Sequence, residues 1–108
     1  MKKMFAILVV AVMLVGCGSK LTENNTRIAK VVVNAVEGYL DGEMSASEAH
    51  DIVYGEYDRI QDGETADVLF GSKVLLISLE LYHNDFDGSG DDGKIKDMCQ
   101  EIKDLAGI

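Results

Sequence analysis

The residues best suited to chemistry lie in an aspartate-rich stretch late in the chain, Asp85-Phe86-Asp87-Gly88-Ser89-Gly90-Asp91-Asp92. Hard cations such as calcium bind several oxygen ligands from one tight loop, and alternating aspartates around a turn glycine supply them. The stretch therefore predicts a candidate cation site. Its oxygen donors are Asp85, Asp87, Ser89 and Asp91.

The stretch resembles the EF-hand calcium loop at that loop's first, third, fifth and sixth positions, which Asp85, Asp87, Ser89 and Gly90 occupy. It departs at the eighth position, where Asp92 replaces an apolar residue, and at the twelfth, where Lys96 replaces a bidentate glutamate. The resemblance implies weak calcium binding, with a dissociation constant of about 10⁻⁴ to 10⁻³ M. The alternative is a solvated, flexible connection between two helices.

A second reactive residue, Cys17, follows a segment typical of export signals. The chain begins Met1-Lys2-Lys3, continues with the apolar run 4–15, and then reaches Gly16. A positive start, a short apolar run and a small residue predict a cleaved signal peptide over residues 1–16. The apolar run is too short for a permanent span, which needs about 20 residues.

Leu14-Val15-Gly16-Cys17 resembles the lipobox of bacterial lipoproteins, in which a leucine and a small residue precede a modified cysteine. The resemblance implies cleavage before Cys17 and a thioether-linked diacylglycerol on its sulfur. The chain is then expected in the cell envelope, in the outer membrane of a two-membrane cell or otherwise on the outer face of the plasma membrane. Residues 17–22 form the lipidated cysteine and a short linker.

The charge of the processed chain excludes one class of partner. Removing Lys2 and Lys3 leaves 8 of the 10 basic residues against all 19 acidic ones, a formal net charge of −11. Anionic lipid and nucleic acid both repel such a body, so no nucleic-acid partner is expected. Acyl chains, at about 0.8 kcal/mol per buried methylene, must therefore provide the attachment to the membrane.

The sequence predicts no catalytic residue. With Cys17 lipidated, Cys99 is the remaining thiol and no internal disulfide can form. The nearby Asp97 and Glu101 disfavour a thiolate, so we interpret Cys99 as a small core residue rather than a nucleophile. The chain is therefore not expected to be an enzyme.

The rest of the chain, residues 23–108, predicts one acidic, all-α domain. It contains no proline, and its glycines fall at breaks between apolar runs of helical period. Four helices are expected, in an up-and-down antiparallel bundle. Their approximate ranges are 23–41 with Thr22 as N-cap, 45–62 with a Ser45–Glu48 capping box, 65–83, and 94–105.

The third predicted helix is apolar around most of its circumference, which favours a central position with neighbours on several sides. The alternative is that its spare apolar face meets a partner. Periodicity places Tyr39, Tyr57 and Tyr82 on buried stripes and leaves Tyr54 exposed. The sequence thus favours a non-enzymatic, membrane-anchored interaction module that acts on a protein near the bilayer, and a weak calcium-binding module is the alternative.

Overall fold

A computed structural model describes residues 19–108 of the chain as four helices. The signal peptide predicted over residues 1–16 and the lipidation predicted at Cys17 lie outside the described residues. The helices are α1 (Glu23–Leu40), α2 (Ala46–Tyr57), α3 (Thr65–Phe86) and α4 (Asp92–Ala106). No strand occurs within 19–108.

The four helices form a closed square. α1 packs against α2 and α4, and α3 packs against the same two neighbours. Short connections join each helix to the next, which makes neighbouring helices antiparallel. The predicted all-α, up-and-down four-helix bundle is confirmed. None of the helices in the described range is both long enough and apolar enough to cross a membrane.

The predicted helix starts of α1 and α2 are also confirmed. The Thr22 hydroxyl accepts a hydrogen bond from the Asn25 backbone N–H at 3.1 Å. Ser45 and Glu48 form the predicted reciprocal capping box, with both hydrogen bonds at 3.1 Å. These side chains satisfy backbone donors that the first turn of a helix leaves free.

Three predicted helix boundaries are wrong. α2 stops at Tyr57 rather than at residue 62, because the backbone N–H and C=O of Gln61 pair with the Asn25 side chain of α1 instead of continuing the helix. α3 continues past residue 83 and ends at Phe86. Gly88 terminates it, because its φ of 76° is left-handed and its backbone N–H donates a hydrogen bond to the His83 carbonyl. α4 begins at Asp92, two residues earlier than predicted.

The hydrophobic core is built from one stripe of each helix. α4 contributes the buried side chains of Ile95, Cys99, Ile102 and Ala106, as its periodicity predicts. α3 contributes Phe70, Val74, Ile77 and Leu81. Two further predictions are wrong. α3 does not take the expected central position, since it packs against two helices and buries only this side, and Tyr82 is 49% exposed instead of buried.

Candidate functional site

The most prominent surface feature of the bundle is the outward side of α3. Six large apolar side chains there remain substantially exposed, from Leu79 at 46% to Phe86 at 75%. We call this surface the α3 face, and its members are Val68, Leu69, Leu76, Leu79, Tyr82 and Phe86. Single exposed apolar residues are ordinary in proteins, whereas a group of them on one side of a helix is typical of interaction sites.

The α3 face also lacks charge. α3 contains four charged side chains, and the first of them, Asp67, is buried. Lys73 pairs with Glu101 of α4 at 3.1 Å, and Glu80 accepts a hydrogen bond from the Asp91 backbone at 2.9 Å. The fourth, Asp85, lies about 100° around the helix from Phe86. The charged groups of α3 therefore lie outside the α3 face, although Glu80 borders it beside Leu76.

An aromatic cluster extends this surface from α3 to α2. His50 stacks on Tyr54 with ring centroids 5.7 Å apart and lies 5.8 Å from Tyr82, which in turn stacks on Phe86 at 6.1 Å. Tyr54 is exposed, as the sequence predicts. Sequence reasoning missed the cluster, although the four-residue steps from His50 to Tyr54 and from Tyr82 to Phe86 were a signal for stacked pairs on helices.

Sequence reasoning also missed a buried polar network that joins the starts of α1 and α3. The Asp67 carboxylate, 2% exposed, accepts hydrogen bonds from the Asn25 side chain at 2.8 Å and from the backbones of Thr22 at 3.0 Å and Glu64 at 2.9 Å. Burial alone raises the pKa of this carboxyl, but the three hydrogen bonds outweigh it and the pKa is lowered. All four residues make contacts within the chain, so the network is structural.

The predicted cation ligands do not all lie in one loop. Asp85 belongs to the last turn of α3, and the connection begins only after Phe86. Asp87 accepts a hydrogen bond from the Ser89 backbone at 2.9 Å, and Asp91 is the N-cap of α4, accepting from Lys94 at 3.2 Å. Hydrogen bonding from the side chain and backbone of Ser89 lowers the pKa of Asp87.

Within residues 19–108, no three His, Cys, Asp or Glu side chains group in a way that could hold a metal ion. The calcium site stays a prediction. Asp92, the last residue of the predicted stretch, accepts hydrogen bonds from the Tyr39 hydroxyl at 2.7 Å and from the Asn84 side chain at 2.9 Å. Burial and then the Asp92 carboxylate raise the pKa of Tyr39. These bonds join α1, α3 and α4 at this end of the bundle.

Cys99 lies in the core beside a cleft between α1 and α4 and is only 4% exposed. Burial raises the pKa of its thiol, the Glu37 carboxylate raises it further, and Lys103 acts in the opposite direction. Glu37 and Lys103 pair with each other at 2.6 Å. A protonated, buried thiol is a poor nucleophile, which agrees with the interpretation of Cys99 as a packing residue.

The start of the described chain is packed onto the bundle. The Lys20 backbone donates a hydrogen bond to the Leu105 carbonyl at 2.9 Å, Leu21 is buried, and the Ser19 and Thr26 hydroxyls lie 2.7 Å apart. The part of the predicted linker that the structure describes, residues 19–22, is therefore held against α1 and α4. No protein-family model matches this chain, and the comparisons with curated proteins and with solved structures return no match.

Proposed function

We propose that this chain is a small lipoprotein, anchored through lipid on Cys17, that acts as a non-enzymatic interaction module at the surface of a membrane. The observation that carries the interaction role is the α3 face. Its six apolar side chains are exposed on a body that otherwise carries 19 acidic residues. Leaving this much apolar surface in water is unfavourable, at roughly 25 cal/mol per Å², so a partner that covers it gains free energy.

The proposal of a lipid anchor is based on the sequence of residues 1–17. The packing of Ser19 and Lys20 against the bundle makes the tether to that anchor short. Only Gly18 separates Cys17 from the first packed residue. A tether of one or two residues reaches only about 7 Å at full extension. A lipid on Cys17 would therefore hold the bundle against the headgroups, where its partners would be other proteins of the same membrane.

The anchor is tested by replacing one of the two cysteines. The Cys17→Ala variant should leave the membrane fraction of the expressing cells and appear in the soluble fraction. The matched control is Cys99→Ala, which removes the other thiol and should leave the protein with the membranes. Membrane retention of a Cys17→Ala protein that has lost residues 1–16 would show that the lipid anchor is wrong.

The interaction role is tested by site-specific photo-crosslinking in cells. A photoreactive residue in place of Leu76, within the α3 face, should give discrete adducts with a neighbouring protein. The same residue in place of Val31, which is similarly exposed but lies on α1, is the matched control and should give none. Absence of adducts at Leu76, with Leu79 and Tyr82 equally silent, would contradict an interaction through this face.

A further inference from the structure

We infer that the α3 face binds a second copy of this chain, forming a two-fold symmetric dimer in which the α3 helices pack against each other. The inference rests on the proposed interaction function and names the partner of its main surface. Three observations support it: the spacing of the apolar residues, the position of the charges, and the area of the face.

The spacing is self-complementary. Four of the six members of the α3 face, Val68, Leu79, Tyr82 and Phe86, fall on one register of alternating four- and three-residue steps, and the two remaining positions of this register are Ser72 and the half-buried Leu75. Apart from Ser72, this spacing matches the seam of a helix pair, in which apolar residues repeat every 3.5 positions. A symmetric dimer uses the same patch on both subunits, and a regular seam of this kind fits a copy of itself.

The charge distribution selects this face over others. Residues 19–108 contain 8 basic and 19 acidic side chains, so two copies repel each other in most orientations. The α3 face itself holds no charged side chain, and the charged groups that border it are Glu80, Lys94 and Asp97 beside Leu76 and Asp58 and Asp62 beside Val68. Two copies that meet through the centre of the α3 face therefore keep these carboxylates at the rim of the contact, where water screens their repulsion.

The area is sufficient for a specific dimer. The six members of the face and Tyr54 are each about half exposed, which gives roughly 100 Å² per side chain and about 600 to 700 Å² in all. A standard interface buries about 800 Å² per partner, and a biological one should exceed about 1,000 Å² in total. Complete coverage of the face on both copies would bury roughly 1,200 to 1,400 Å², near the lower end of stable interfaces. We therefore expect a dimer of moderate affinity.

Sedimentation equilibrium of the soluble body, residues 18–108, tests the inference. This body includes the whole core, which runs from Leu21 to Ala106, so it contains everything that forms the bundle. We expect a monomer–dimer equilibrium with a micromolar dissociation constant. Raising the NaCl concentration should strengthen the dimer, because salt screens the repulsion between two acidic bodies. A complex with a basic protein would show the opposite salt dependence.

Leu79→Glu places a carboxylate in the seam of both copies and should weaken the dimer by about 100-fold or more. Leu76→Glu, which lies in the α3 face beside this seam, should also weaken the dimer, and it replaces Leu79→Glu if circular dichroism shows that the first variant is unfolded. The matched control is Val31→Glu, which adds the same charge on α1 and should leave the dissociation constant unchanged.

A body that stays monomeric at about 100 µM, or a dimer insensitive to both leucine variants, would overturn the inference. The two proposals also fail separately. A photo-crosslinked adduct at Leu76 with the mass of two copies supports the dimer. An adduct with any other mass overturns the dimer and leaves the interaction function in place.

Discussion

At the scale of single residues, Asp67 shows how a buried carboxylate holds several elements together. It lies in the first turn of α3, and its partners are the backbone before α1, a side chain of α1 and the backbone before α3. Burial of a charge is unfavourable unless hydrogen bonds compensate it, and Asp67 has three. Its ionised form is therefore part of the folded state.

We expect Asp67→Asn to lower the free energy of unfolding by about 2 kcal/mol at pH 7, because the new amide group cannot accept the hydrogen bond that Glu64 donates. Because folding lowers the pKa of Asp67, its stabilisation is present above the unfolded pKa, about 3.9, and is lost as the pH falls through the folded pKa. Urea denaturation should thus show a smaller difference between wild type and variant at about pH 3 than at pH 7.

The control for this series is Asp97→Asn, which makes the same chemical change at an exposed position of α4. It should alter stability by less than about 0.5 kcal/mol at both pH values. An Asp67→Asn variant as stable as wild type at pH 7 would mean that the hydrogen bonds do not stabilise the ionised Asp67 carboxylate.

Cys99 provides a second test at this scale. Because its thiol is 4% exposed and its pKa is raised, we expect a mild thiol reagent to modify the native body at least about 100-fold more slowly than the same body in urea. The reaction can be followed by mass spectrometry. Native labelling at the rate of a free cysteine would contradict the packing role and would reopen the question of thiol chemistry.

At the scale of helices, the sequence predicted the features that depend on local contacts but not those that depend on tertiary contacts. Thr22 and Ser45 were predictable as caps because a cap is a contact over three residues of sequence. The end of α2 was not predictable, since it depends on Asn25, which lies 36 positions before Gln61. Nor could periodicity show which side of α3 is buried, because a helix that is apolar all round has no preferred side until its neighbours are known.

The candidate site has the same dependence on tertiary structure. The α3 residues were recognised as apolar from sequence, and contact with a partner was one of two interpretations of that pattern. The link between His50 and Tyr82 joins positions on different helices, and no local spacing predicts it. The acidic stretch at 85–92, by contrast, was recognised by composition alone. Composition did not show that Asp91 caps α4 or that Asp92 bonds Tyr39.

Two variants can test separately the role of Asp91 as the N-cap of α4 and the predicted role of the 85–92 stretch as a cation site. We expect Asp91→Ala to lower the free energy of unfolding by about 1 kcal/mol in EDTA, because α4 loses its N-cap. Asp85→Ala is the control, since Asp85 is a predicted ligand but caps no helix. An Asp91→Ala loss that requires calcium would contradict the cap role. A rise in the wild-type unfolding temperature at millimolar calcium, absent from both variants, would support the predicted site.

At the scale of the whole molecule, the acidic charge acts on the fold itself as well as on its partners. Of the 27 charged side chains in residues 19–108, 19 are acidic, and the ion pairs with lysine or arginine involve only Arg59, Lys73 and Lys103 within that range. Like charges on a compact body repel one another and destabilise the folded state relative to an expanded one. The net negative charge therefore lowers the free energy of unfolding of the bundle.

We expect the unfolding temperature of the body, measured at low protein concentration, to rise by about 4 to 8 °C between about 0.02 and 0.5 M NaCl. This corresponds to roughly 1 kcal/mol of screened repulsion in a domain of this size. The double variant Glu43→Gln and Asp62→Asn removes two exposed acidic groups from the connections between helices. It should melt higher than wild type in low salt and respond less to added salt. An unfolding temperature of the wild type that does not change with salt would show that attractive ion pairs already balance the repulsion between acidic groups. In that case charge repulsion would not direct two copies to the uncharged α3 face.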